Sequence, residues 1–324
     1  MKTIAITGAS GFIGRHLVSR LLSLGGNRIK ILSRTAQAQA TQVAFPPEVE
    51  VIEGDIRDPS TLEGFLEPGC TVINLVYLSS ESEAGNLAAI GNLLEACKSA
   101  SVTRLIHCST ADVAGRTPDL RVLESSHCRP ITAYAVTKLK IETTLLTADQ
   151  VYFDIAILRP TAVFGPGGQN LNKLANDLVR GNHLRNALKA CVFGRRRMNL
   201  VHVDNVIEAI VFLVDRDHKF GKQIYIISDD DAPSNDFASI ELEMIKGLGL
   251  RGPRMRRIYF PVWLLSLMLR VIRKNNVNPL CIYDSRKLRS LGFLWPMPFE
   301  VGLSRYIDWY RSVGFDSQKK AGTQ

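Results

Sequence analysis

Tyr134 and Lys138 stand four residues apart in a segment that predicts a helix, so their side chains share one face about one turn apart. A free phenol has a pKa of about 10 and is a poor base at neutral pH. A neighbouring ammonium favours the phenolate, and a second positive charge bound beside it would add to this effect. The pair can therefore work as a general acid–base. The same spacing is also common on helix surfaces, where a tyrosine and a solvated lysine have no chemical role.

Two hydroxyl side chains, Ser109 and Thr110, directly follow an apolar run that predicts a strand over residues 104–108. Hydroxyls in that position can hydrogen-bond the oxygen of a reacting carbonyl or alcohol, and they can equally cap the end of the strand. The chemical interpretation holds only if the fold brings these hydroxyls to the same edge of one sheet as the other candidate groups.

Three glycines, Gly8, Gly11 and Gly14, lie between a β-branched run and a segment that predicts a helix over 13–24. A strand, a glycine turn and a helix in this order can cradle a phosphate. The turn lets the backbone approach the anion, and the helix start offers unpaired N–H groups and a positive dipole end. The pattern alone also fits an ordinary turn, but here it begins the first strand–helix unit, where a doubly wound sheet binds a dinucleotide. The predicted cofactor contacts in this segment are Gly8, Ser10, Gly11, Phe12, Ile13 and Gly14.

Strands and helices alternate along the first half of the chain. Apolar runs predict strands at residues 3–7, 28–32, 49–53, 71–75, 104–108 and 152–158, with helices at 13–24, 86–100 and 131–146. This pattern is typical of a parallel sheet covered on both faces, so we predict an α/β fold of the doubly wound Rossmann type. Functional residues should then gather at the carboxyl ends of the strands. The residues at those ends are Gly8, Arg34, Asp55, Val76, Thr110 and Thr161.

The pattern changes near residue 165. Helices are predicted at 171–182 and 237–247, a strand at 223–227, and a strand followed by a helix at 200–214. We predict a dinucleotide-binding domain over 1–165, to which 198–222 return, and a smaller mixed α/β substrate-binding domain formed by 166–197 and 223–324.

The composition is typical of a globular enzyme, since 46% of the 324 residues are hydrophobic and 22% are charged. The six cysteines lack C-x-x-C spacing, so we expect reduced thiols, a reducing compartment and no metal site. No apolar run reaches the ~18 residues that a membrane span needs, and the N-terminus predicts a strand, so we expect a cytoplasmic protein. The net charge of +9 favours anionic partners such as nucleotides, phosphates or acidic lipids, or serves solubility alone. We expect no nucleic-acid partner.

Several motifs of the chain resemble those of the extended short-chain dehydrogenase/reductase family, in particular its sugar-nucleotide epimerases, dehydratases and reductases. The matching motifs are Thr7-Gly-Ala-Ser-Gly-Phe-Ile-Gly14, Gly54-Asp-Ile-Arg-Asp58, Asn86 through Asn92-Leu-Leu-Glu-Ala96, Cys108-Ser-Thr110 leading to Gly115, Tyr134-x-x-x-Lys138, Leu158-Arg-Pro160, Val163-Phe-Gly-Pro166, Val201-His-Val-Asp204, Asp284-x-x-Lys287-Leu, Leu291-Gly-Phe and Trp309-Tyr310. No single motif is decisive, but their order and separations along nearly the whole chain are specific.

By this resemblance, Tyr134 is the catalytic acid–base, and Lys138 lowers its pKa while binding the ribose of the nicotinamide. Thr110 would hold the substrate oxygen, and Asn86 would support the site from behind. A hydride would pass between the nicotinamide and a sugar carbon while Tyr134 exchanges a proton with the oxygen on that carbon. The resemblance also implies cofactor contacts by Asp55 and Ile56 at the adenine and by Val76, Tyr77, Pro160 and Val163 elsewhere.

Two departures from the family pattern bear on the reaction. Ala114 stands where the family often has a tyrosine before Gly115. Dehydratases usually carry an Asp-Glu pair after the catalytic threonine, whereas Ala111 and Asp112 follow Thr110 here. The chain thus lacks the glutamate that would abstract a proton next to the ketone, and dehydration is disfavoured.

The residue that follows the second strand favours one nicotinamide cofactor. A site for NAD(H) places an acidic side chain about 20 residues after the glycines to bind the ribose 2′-hydroxyl. Arg34 lies 20 residues after Gly14, with no acidic residue near it. A guanidinium suits a 2′-phosphate, so we favour NADP(H). NAD(H) stays the alternative, with Arg34 solvated.

Two predicted substrate contacts come later in the chain. Arg197, in the arginine run 195–197, and His202 occupy positions at which related enzymes bind the nucleotide diphosphate. The alternatives are a solvated arginine run and a histidine packed in its strand.

The most apolar stretch of the chain is 258–272. Basic residues flank it on both sides, namely Arg254, Arg256, Arg257, Arg273 and Lys274. The favoured interpretation is a helix packed inside the small domain, as in related enzymes. The alternative is an interfacial helix, with aromatics among the head groups and cations on anionic lipid, on a protein peripheral at the inner face of the membrane. That alternative would suit a polyprenyl-diphosphate-linked sugar substrate.

The leading hypothesis is an NADPH-dependent 4-keto-sugar reductase in surface-polysaccharide sugar biosynthesis. Its substrate would be a hexose linked to a nucleotide, with UDP expected, and it would dimerise with itself through helices such as 86–100 and 131–146. Three alternatives stay open: a UDP-hexose 4-epimerase that retains NAD, a reductase of apolar ketones of hydroxysteroid or flavonoid type, and a non-catalytic NADP-binding regulatory protein. Intact Thr110, Tyr134 and Lys138 argue against the last of these.

Overall fold

The computed structural model describes residues 2–34, 45–148, 153–252 and 258–321. The chain forms two compact units, each built from three segments of the sequence. The first unit consists of Met1–Val113, Cys128–Pro160 and Val206–Ile226. The second unit consists of Ala114–His127, Thr161–Asn205 and Ile227–Gln324.

The secondary structure alternates between strands and helices. In chain order the strands are β1 (Lys2–Thr7), β2 (Asn27–Ser33), β3 (Val49–Glu53), β4 (Thr71–Asn74), β5 (Arg104–Cys108), β6 (Arg121–Val122), β7 (Asp154–Pro160), β8 (Ala162–Phe164), β9 (Leu200–His202), β10 (Lys222–Ile227) and β11 (Ile282–Tyr283). The helices are α1 (Phe12–Leu24), α2 (Pro59–Phe65), α3 (Glu83–Ser99), α4 (Ala133–Thr147), α5 (Asn172–Arg180), α6 (His183–Phe193), α7 (Val203–Asp215), α8 (Phe237–Gly247), α9 (Val262–Val271), α10 (Arg286–Ser290) and α11 (Phe299–Ala321).

A seven-stranded sheet with the order β10-β7-β5-β4-β1-β2-β3 forms the centre of the first unit. The pairings that run from β3 through β2, β1, β4 and β5 to β7 are all parallel. The chain adds β2 and β3 on one side of β1 and then returns to add β4 on the other side. The loops after β1 and β4 therefore diverge at this switch point, where sheets of this type bind ligands. The predicted doubly wound α/β fold is confirmed.

Burial on both faces explains why the strands are continuously apolar. Ile4 and Ile6 of β1 are each 0% exposed. On one face, Phe65 of α2, Leu93 of α3 and Ile141 of α4 pack in a single core cluster with residues of the sheet. Each such side chain stabilises the fold by about 1.5–3 kcal/mol through the apolar surface that it removes from water.

Hydroxyl caps set the starts of the two long helices in the first unit. Thr132 precedes α4, and its Oγ1 accepts a hydrogen bond from the backbone N–H of Ala135 at 3.3 Å. Ser82 precedes α3 and accepts from the N–H of Gly85 at 3.1 Å. Each side chain satisfies one of the free N–H groups of a helix start. Helix α4 therefore begins directly before Tyr134, which lies in its first turn.

The helix predicted over 171–182 is confirmed as α5, and a second helix that the sequence did not predict, α6, follows it directly. Helix α5 ends before Gly181, whose backbone is extended. The side chain of Asn182 then accepts from the backbone N–H of Leu184 at 2.8 Å and starts α6. The turn of the backbone at Gly181 and the new cap directly after it separate these two helices. The helix predicted over 237–247 is confirmed as α8.

The second unit is built around helices, with two small parallel sheets that pair β8 with β9 and β6 with β11. Phe164 of β8, Ile240 of α8 and two residues of α11, Leu303 and Tyr306, pack in its main core cluster. A smaller cluster lies beneath α9.

The six cysteines all carry free thiols, and Cys70, Cys97, Cys108 and Cys281 are buried. Within the described ranges, no helix has both the length and the apolar character that crossing a membrane requires.

Candidate active site

The glycine turn after β1 forms a cradle with free donors. Gly8 has a positive φ of 77°, and its carbonyl oxygen accepts from the N–H of Gly11 at 3.1 Å. Gly11 caps α1 without any side-chain hydrogen bond, and the first turn of α1 contains no acidic residue. The N–H groups and the positive dipole end of α1 are therefore available to an anion.

The space around these glycines fits a dinucleotide site. A Cβ on Gly14 would lie 2.4 Å from the carbonyl oxygen of Gly8 and 2.6 Å from the Cα of Ala9. A Cβ on Gly8 would lie 3.2 Å from the backbone nitrogen of Val76. Only glycine lets α1 pass this close to the turn and lets the turn lie against the loop after β4, as close approach to a pyrophosphate requires.

A buried polar network behind the cradle was missed by sequence reasoning. Asn74 at the end of β4 accepts through Oδ1 from the Thr7 hydroxyl at 2.8 Å and from the Val76 N–H at 3.0 Å. Its Nδ2 lies 3.2 Å from Nδ1 of His107 on β5. The Val76 N–H can only donate, so Asn74 must donate to His107, whose proton therefore lies on Nε2. Burial, and secondarily the ammonium of Lys138, lowers the pKa of His107 well below its ordinary value. The neutral network fixes the Val76 loop beside the glycine turn.

Four candidate side chains meet at the carboxyl ends of β4 and β5. The rings of Tyr77 and Tyr134 contact edge to face, with centroids 4.8 Å apart. Lys138 is 2% exposed, and its Nζ lies 5.4 Å from the centroid of the Tyr77 ring. Thr110 and Tyr134 share a side-chain hydrogen bond. The structure therefore brings Thr110, Tyr134 and Lys138 together, and the ring of Tyr77 contacts both Tyr134 and Lys138.

Opposing effects act on the pKa of Tyr134 in the absence of a cofactor. Although 39% of Tyr134 is exposed, desolvation of its hydroxyl raises the pKa to about 12, and the thiol of Cys108 acts in the same direction, while the hydrogen bond with Thr110 opposes them. The Nζ of Lys138 donates to the carbonyl oxygen of Cys108 at 2.9 Å. Burial also lowers the pKa of Lys138 itself. Without a bound cofactor, the phenol is thus protonated at neutral pH and suited to donate a proton.

A buried ion pair anchors the third turn of the same helix. Glu142 follows Lys138 by one turn and is 1% exposed. Arg159 of β7, 4% exposed, donates to its carboxylate through Nε at 3.1 Å and through a terminal nitrogen at 2.6 Å. The Ser109 hydroxyl donates to the same carboxylate. These contacts attach α4 to the ends of β5 and β7 and so position Tyr134 and Lys138. Sequence reasoning missed Glu142 and Arg159, although the four-residue spacing continues from Tyr134 through Lys138 to Glu142.

Asn86 holds the loop that carries Tyr77. Its side chain accepts from the N–H of Leu78 at 3.0 Å and donates to the carbonyl oxygens of Leu78 and Ser82 at 3.0 and 3.1 Å. The residue is 3% exposed. Because its side chain is engaged with backbone, Asn86 acts on the site by positioning this loop.

The loops after β2 and β3 carry the candidate adenine and ribose groups. Arg57 donates to Asp55 through Nε at 3.0 Å and through a terminal nitrogen at 2.7 Å. This pair lowers the pKa of Asp55, and the charge of Arg34 contributes further. Arg34 is exposed. Ile56 differs from Asp55, because its side chain is 5% exposed and packs in the core cluster of the first unit.

The predicted substrate contacts Arg197 and His202 lie in the second unit and are engaged there. Arg197 donates to the backbone carbonyl oxygens of Asp230, Ala232 and Pro233. His202 is 1% exposed, and its ring packs edge-on against Phe164 with centroids 5.2 Å apart. Both side chains therefore serve the packing of this unit, which corresponds to the packed-histidine alternative. Pro160 ends β7 and is buried, and Val163 lies in β8.

Two neighbouring carboxyl groups of the second unit were also missed. Asp229 accepts from the backbone N–H of His202 at 2.8 Å and from the indole of Trp295. Asp230 accepts from the N–H of Tyr283 at 2.8 Å. Burial raises the pKa of each to about 6 in spite of these hydrogen bonds. Among the described His, Cys, Asp and Glu side chains, no group of three is placed to hold a metal ion.

Comparisons with known proteins agree with this geometry. The model of the "NAD dependent epimerase/dehydratase family" matches residues 4–228. Sterol-4-alpha-carboxylate 3-dehydrogenase, decarboxylating, of Mus musculus is 25% identical over 295 residues, covering 84% of this chain and 76% of that protein. UDP-glucose 4-epimerase of Vibrio cholerae is 24% identical over 328 residues and covers 94% of both chains. The structure of dTDP-glucose 4,6-dehydratase from Bacillus anthracis in complex with NAD has a TM-score of 0.72 and 18% identity, covering 96% of this chain and 97% of that one.

Proposed function

Because the chain belongs to the NAD-dependent epimerase/dehydratase family of oxidoreductases and epimerases, we propose that it transfers a hydride between a nicotinamide cofactor and C4 of a nucleotide-linked hexose. The observation that carries this proposal is the meeting of Thr110, Tyr134 and Lys138 at one end of the sheet that also holds the glycine cradle.

The roles of the side chains follow from their contacts. The α1 N-terminus and the Gly8 turn would hold the pyrophosphate. A bound nicotinamide supplies or accepts the hydride. In reduction, Tyr134 donates its phenolic proton to the carbonyl oxygen, and Thr110 hydrogen-bonds the same oxygen. In oxidation, Tyr134 takes the proton from the alcohol, and the ammonium of Lys138 stabilises the phenolate once charge develops.

We favour NADPH and the direction of reduction. Arg34 is exposed after β2, and its charge reaches Asp55 across the neighbouring loop. A guanidinium there binds a 2′-phosphate better than a ribose hydroxyl. The protonated Tyr134 also suits a proton donor. Residues Ala111 and Asp112 after Thr110 supply no glutamate, which disfavours dehydration.

A reductase of apolar ketones is the second candidate. The guanidinium of Arg197 is engaged by backbone carbonyls, and His202 is buried, so neither side chain is placed to bind a nucleotide diphosphate. One relative acts on a sterol by its name. A homodimer, a cytoplasmic location and a place in surface-polysaccharide biosynthesis stay predictions.

Substrate assays with the purified protein separate these candidates. A 4-keto hexose linked to UDP should be reduced with NADPH faster than with NADH, and apolar ketones should not react. Mass spectrometry under native conditions should find an empty site that binds NADPH; retained NAD would indicate the epimerase instead.

A phenylalanine substitution tests whether the protein is an enzyme at all. Tyr134→Phe should abolish turnover while the cofactor still binds. In a regulatory protein that only binds cofactor, the substitution should not alter function. Tyr310→Phe is the matched control, since that phenol donates to Asn176 in the second unit.

A further inference from the structure

Helix α9 buries one face and exposes the other. Leu265 and Leu269 are each 1% exposed and pack with Val277, next to Val192 and Phe193. This face agrees with the prediction of a helix packed inside the small domain. The opposite face of α9 is also apolar. No core cluster covers it within the described part of this unit, so its exposure needs another explanation.

The outer face of α9 consists of Trp263, Leu267 and Val271, which are 70%, 53% and 75% exposed. Their spacing of four residues places them in one row along the helix. Exposed isoleucines precede and follow α9 in the chain: Ile258 is 86% exposed and Ile272 is 51% exposed. Exposed apolar surface of this extent on a folded protein marks an interaction site.

The apolar surface extends from α9 to α6. The backbone N–H of Phe260, just before α9, donates to the carbonyl oxygen of Cys191 on α6 at 2.8 Å. Leu184 and Leu188 precede Cys191 by seven and three residues, so all three share one face of α6. These leucines are 70% and 60% exposed. The outer face of α9 and the leucines of α6 therefore belong to neighbouring elements of the same unit.

The sequence around α9 is strongly basic, although Lys246 forms an exposed ion pair with Glu243 at 3.9 Å. Residues 244–283 contain no Asp or Glu, and they carry a net charge of +8 out of the +9 of the whole chain. The basic residues of this stretch are Lys246, Arg251, Arg254, Arg256, Arg257, Arg270, Arg273 and Lys274, of which Arg254, Arg256 and Arg257 lie outside the described residues. Arg270, Arg273 and Lys274 are exposed at the end of α9. Beside α6, Asp177 is neutralised by ion pairs with Arg185 and Lys189.

We propose that the outer face of α9 and the adjoining leucines of α6 bind the surface of an anionic lipid bilayer. Trp263 and the aliphatic side chains would lie at the boundary of head groups and acyl chains, where an indole is favoured. The cations at the end of α9 would contact lipid phosphates, to which each basic side chain is attracted. A second copy of the chain fits less well, because a symmetric contact would set two such positive surfaces against each other.

Vesicle flotation with the full chain tests the proposal. The protein should float with vesicles rich in phosphatidylglycerol and much less with vesicles of phosphatidylcholine alone, and high salt should weaken binding. The double variant Trp263→Ser/Leu267→Ser should lower the partition coefficient at least about tenfold. Both residues are exposed, so circular dichroism should be unchanged. Leu294→Ser removes an 84% exposed leucine from the same unit and is the matched control.

Two further measurements locate the contact. Lipids brominated near the head group should quench the fluorescence of the wild type more than that of Trp263→Phe, although Trp295 and Trp309 remain. Replacing Arg270, Arg273 and Lys274 by glutamine should remove most of the dependence on phosphatidylglycerol.

Absence of flotation on anionic vesicles would overturn the proposal, and so would equal flotation of the double variant and the wild type. Self-association that the double variant abolishes, in a protein that does not bind vesicles, would assign the surface to a second copy instead. Turnover of soluble substrates should be unaffected by the double variant, so this test is independent of the proposed function.

Discussion

Removing the carboxylate of Glu142 should destabilise the first unit far more than breaking an exposed ion pair on the same helix. Glu142 and Arg159 are 1% and 4% exposed, so Glu142→Ala leaves a buried guanidinium without its counter-charge and the Ser109 hydroxyl without its acceptor. Breaking a buried pair in this way lowers the free energy of unfolding by about 3–5 kcal/mol.

The control lies on the solvent side of α4. Lys140 contacts Glu83 at 2.5 Å, but these side chains are 52% and 39% exposed. Water screens such a pair, so Lys140→Ala should lower the free energy of unfolding by about 0.2–1 kcal/mol. Burial alone therefore separates the two losses by a factor of three or more.

Urea denaturation followed by circular dichroism measures both losses. Hydrogen exchange of the α4 amides assigns them to this helix. The double variant Glu142→Leu/Arg159→Met should recover most of the stability, since it removes both buried charges. Equal losses for Glu142→Ala and Lys140→Ala, or a double variant no better than Glu142→Ala, would refute the reasoning.

Three other predictions follow from the same structure. Gly14→Ala should weaken cofactor binding at least about tenfold, because its Cβ would lie 2.4 Å from a backbone oxygen of the turn. Gly91→Ala is the control, because a Cβ there would meet no atom within 4 Å; it should leave cofactor affinity unchanged and stabilise α3 by about 0.5–1 kcal/mol. Calorimetric titration measures the cofactor affinity of both variants, and thermal melting measures their stability. In the cofactor-free protein, the phenol of Tyr134 should stay protonated to about pH 11, since burial raises its pKa to about 12; a difference titration against Tyr134→Phe would contradict this by showing ionisation at an ordinary value. The carboxyls of Asp229 and Asp230 have a pKa of about 6 in the fold, above that of the unfolded chain. Their protonated forms therefore stabilise the second unit at low pH. As the pH rises to about 6, the free energy of unfolding should fall by about 2–3 kcal/mol for each carboxyl. Melting curves between pH 4.5 and 7.5 should flatten when either becomes asparagine, and an unchanged slope would count against the assignment.

Local signals in the sequence predicted the parts of the site that depend on near neighbours. The glycine turn follows from residue types within one loop, and the pairing of Tyr134 with Lys138 follows from the helical repeat. Thr110 was predicted because strand ends in a parallel sheet share one edge. The glycine turn and Thr110 lie at the same edge because β1 and β5 are parallel strands of one sheet.

Long-range contacts explain what the sequence did not predict. Asn74 meets His107 across 33 positions, and Glu142 meets Arg159 across 17. No periodicity within one element indicates such partners. The acceptor of Lys138 was not predicted for the same reason, since the carbonyl that engages its Nζ belongs to a distant strand. Arg197 was assigned by position in the family pattern, and its actual acceptors lie on a turn more than 30 residues away.

The late position of β10 in the chain has a consequence for biosynthesis. β7 is buried along its whole length between β5 and β10, yet β10 spans Lys222–Ile227. At about 5–20 residues per second, a ribosome needs several seconds to deliver β10 after β7 has emerged. During that interval the nascent sheet ends in an apolar strand with free N–H and C=O groups, which invites pairing with other chains. Fragments that stop before residue 222 should therefore aggregate, and a chaperone that covers β7 during translation should raise the yield of folded protein.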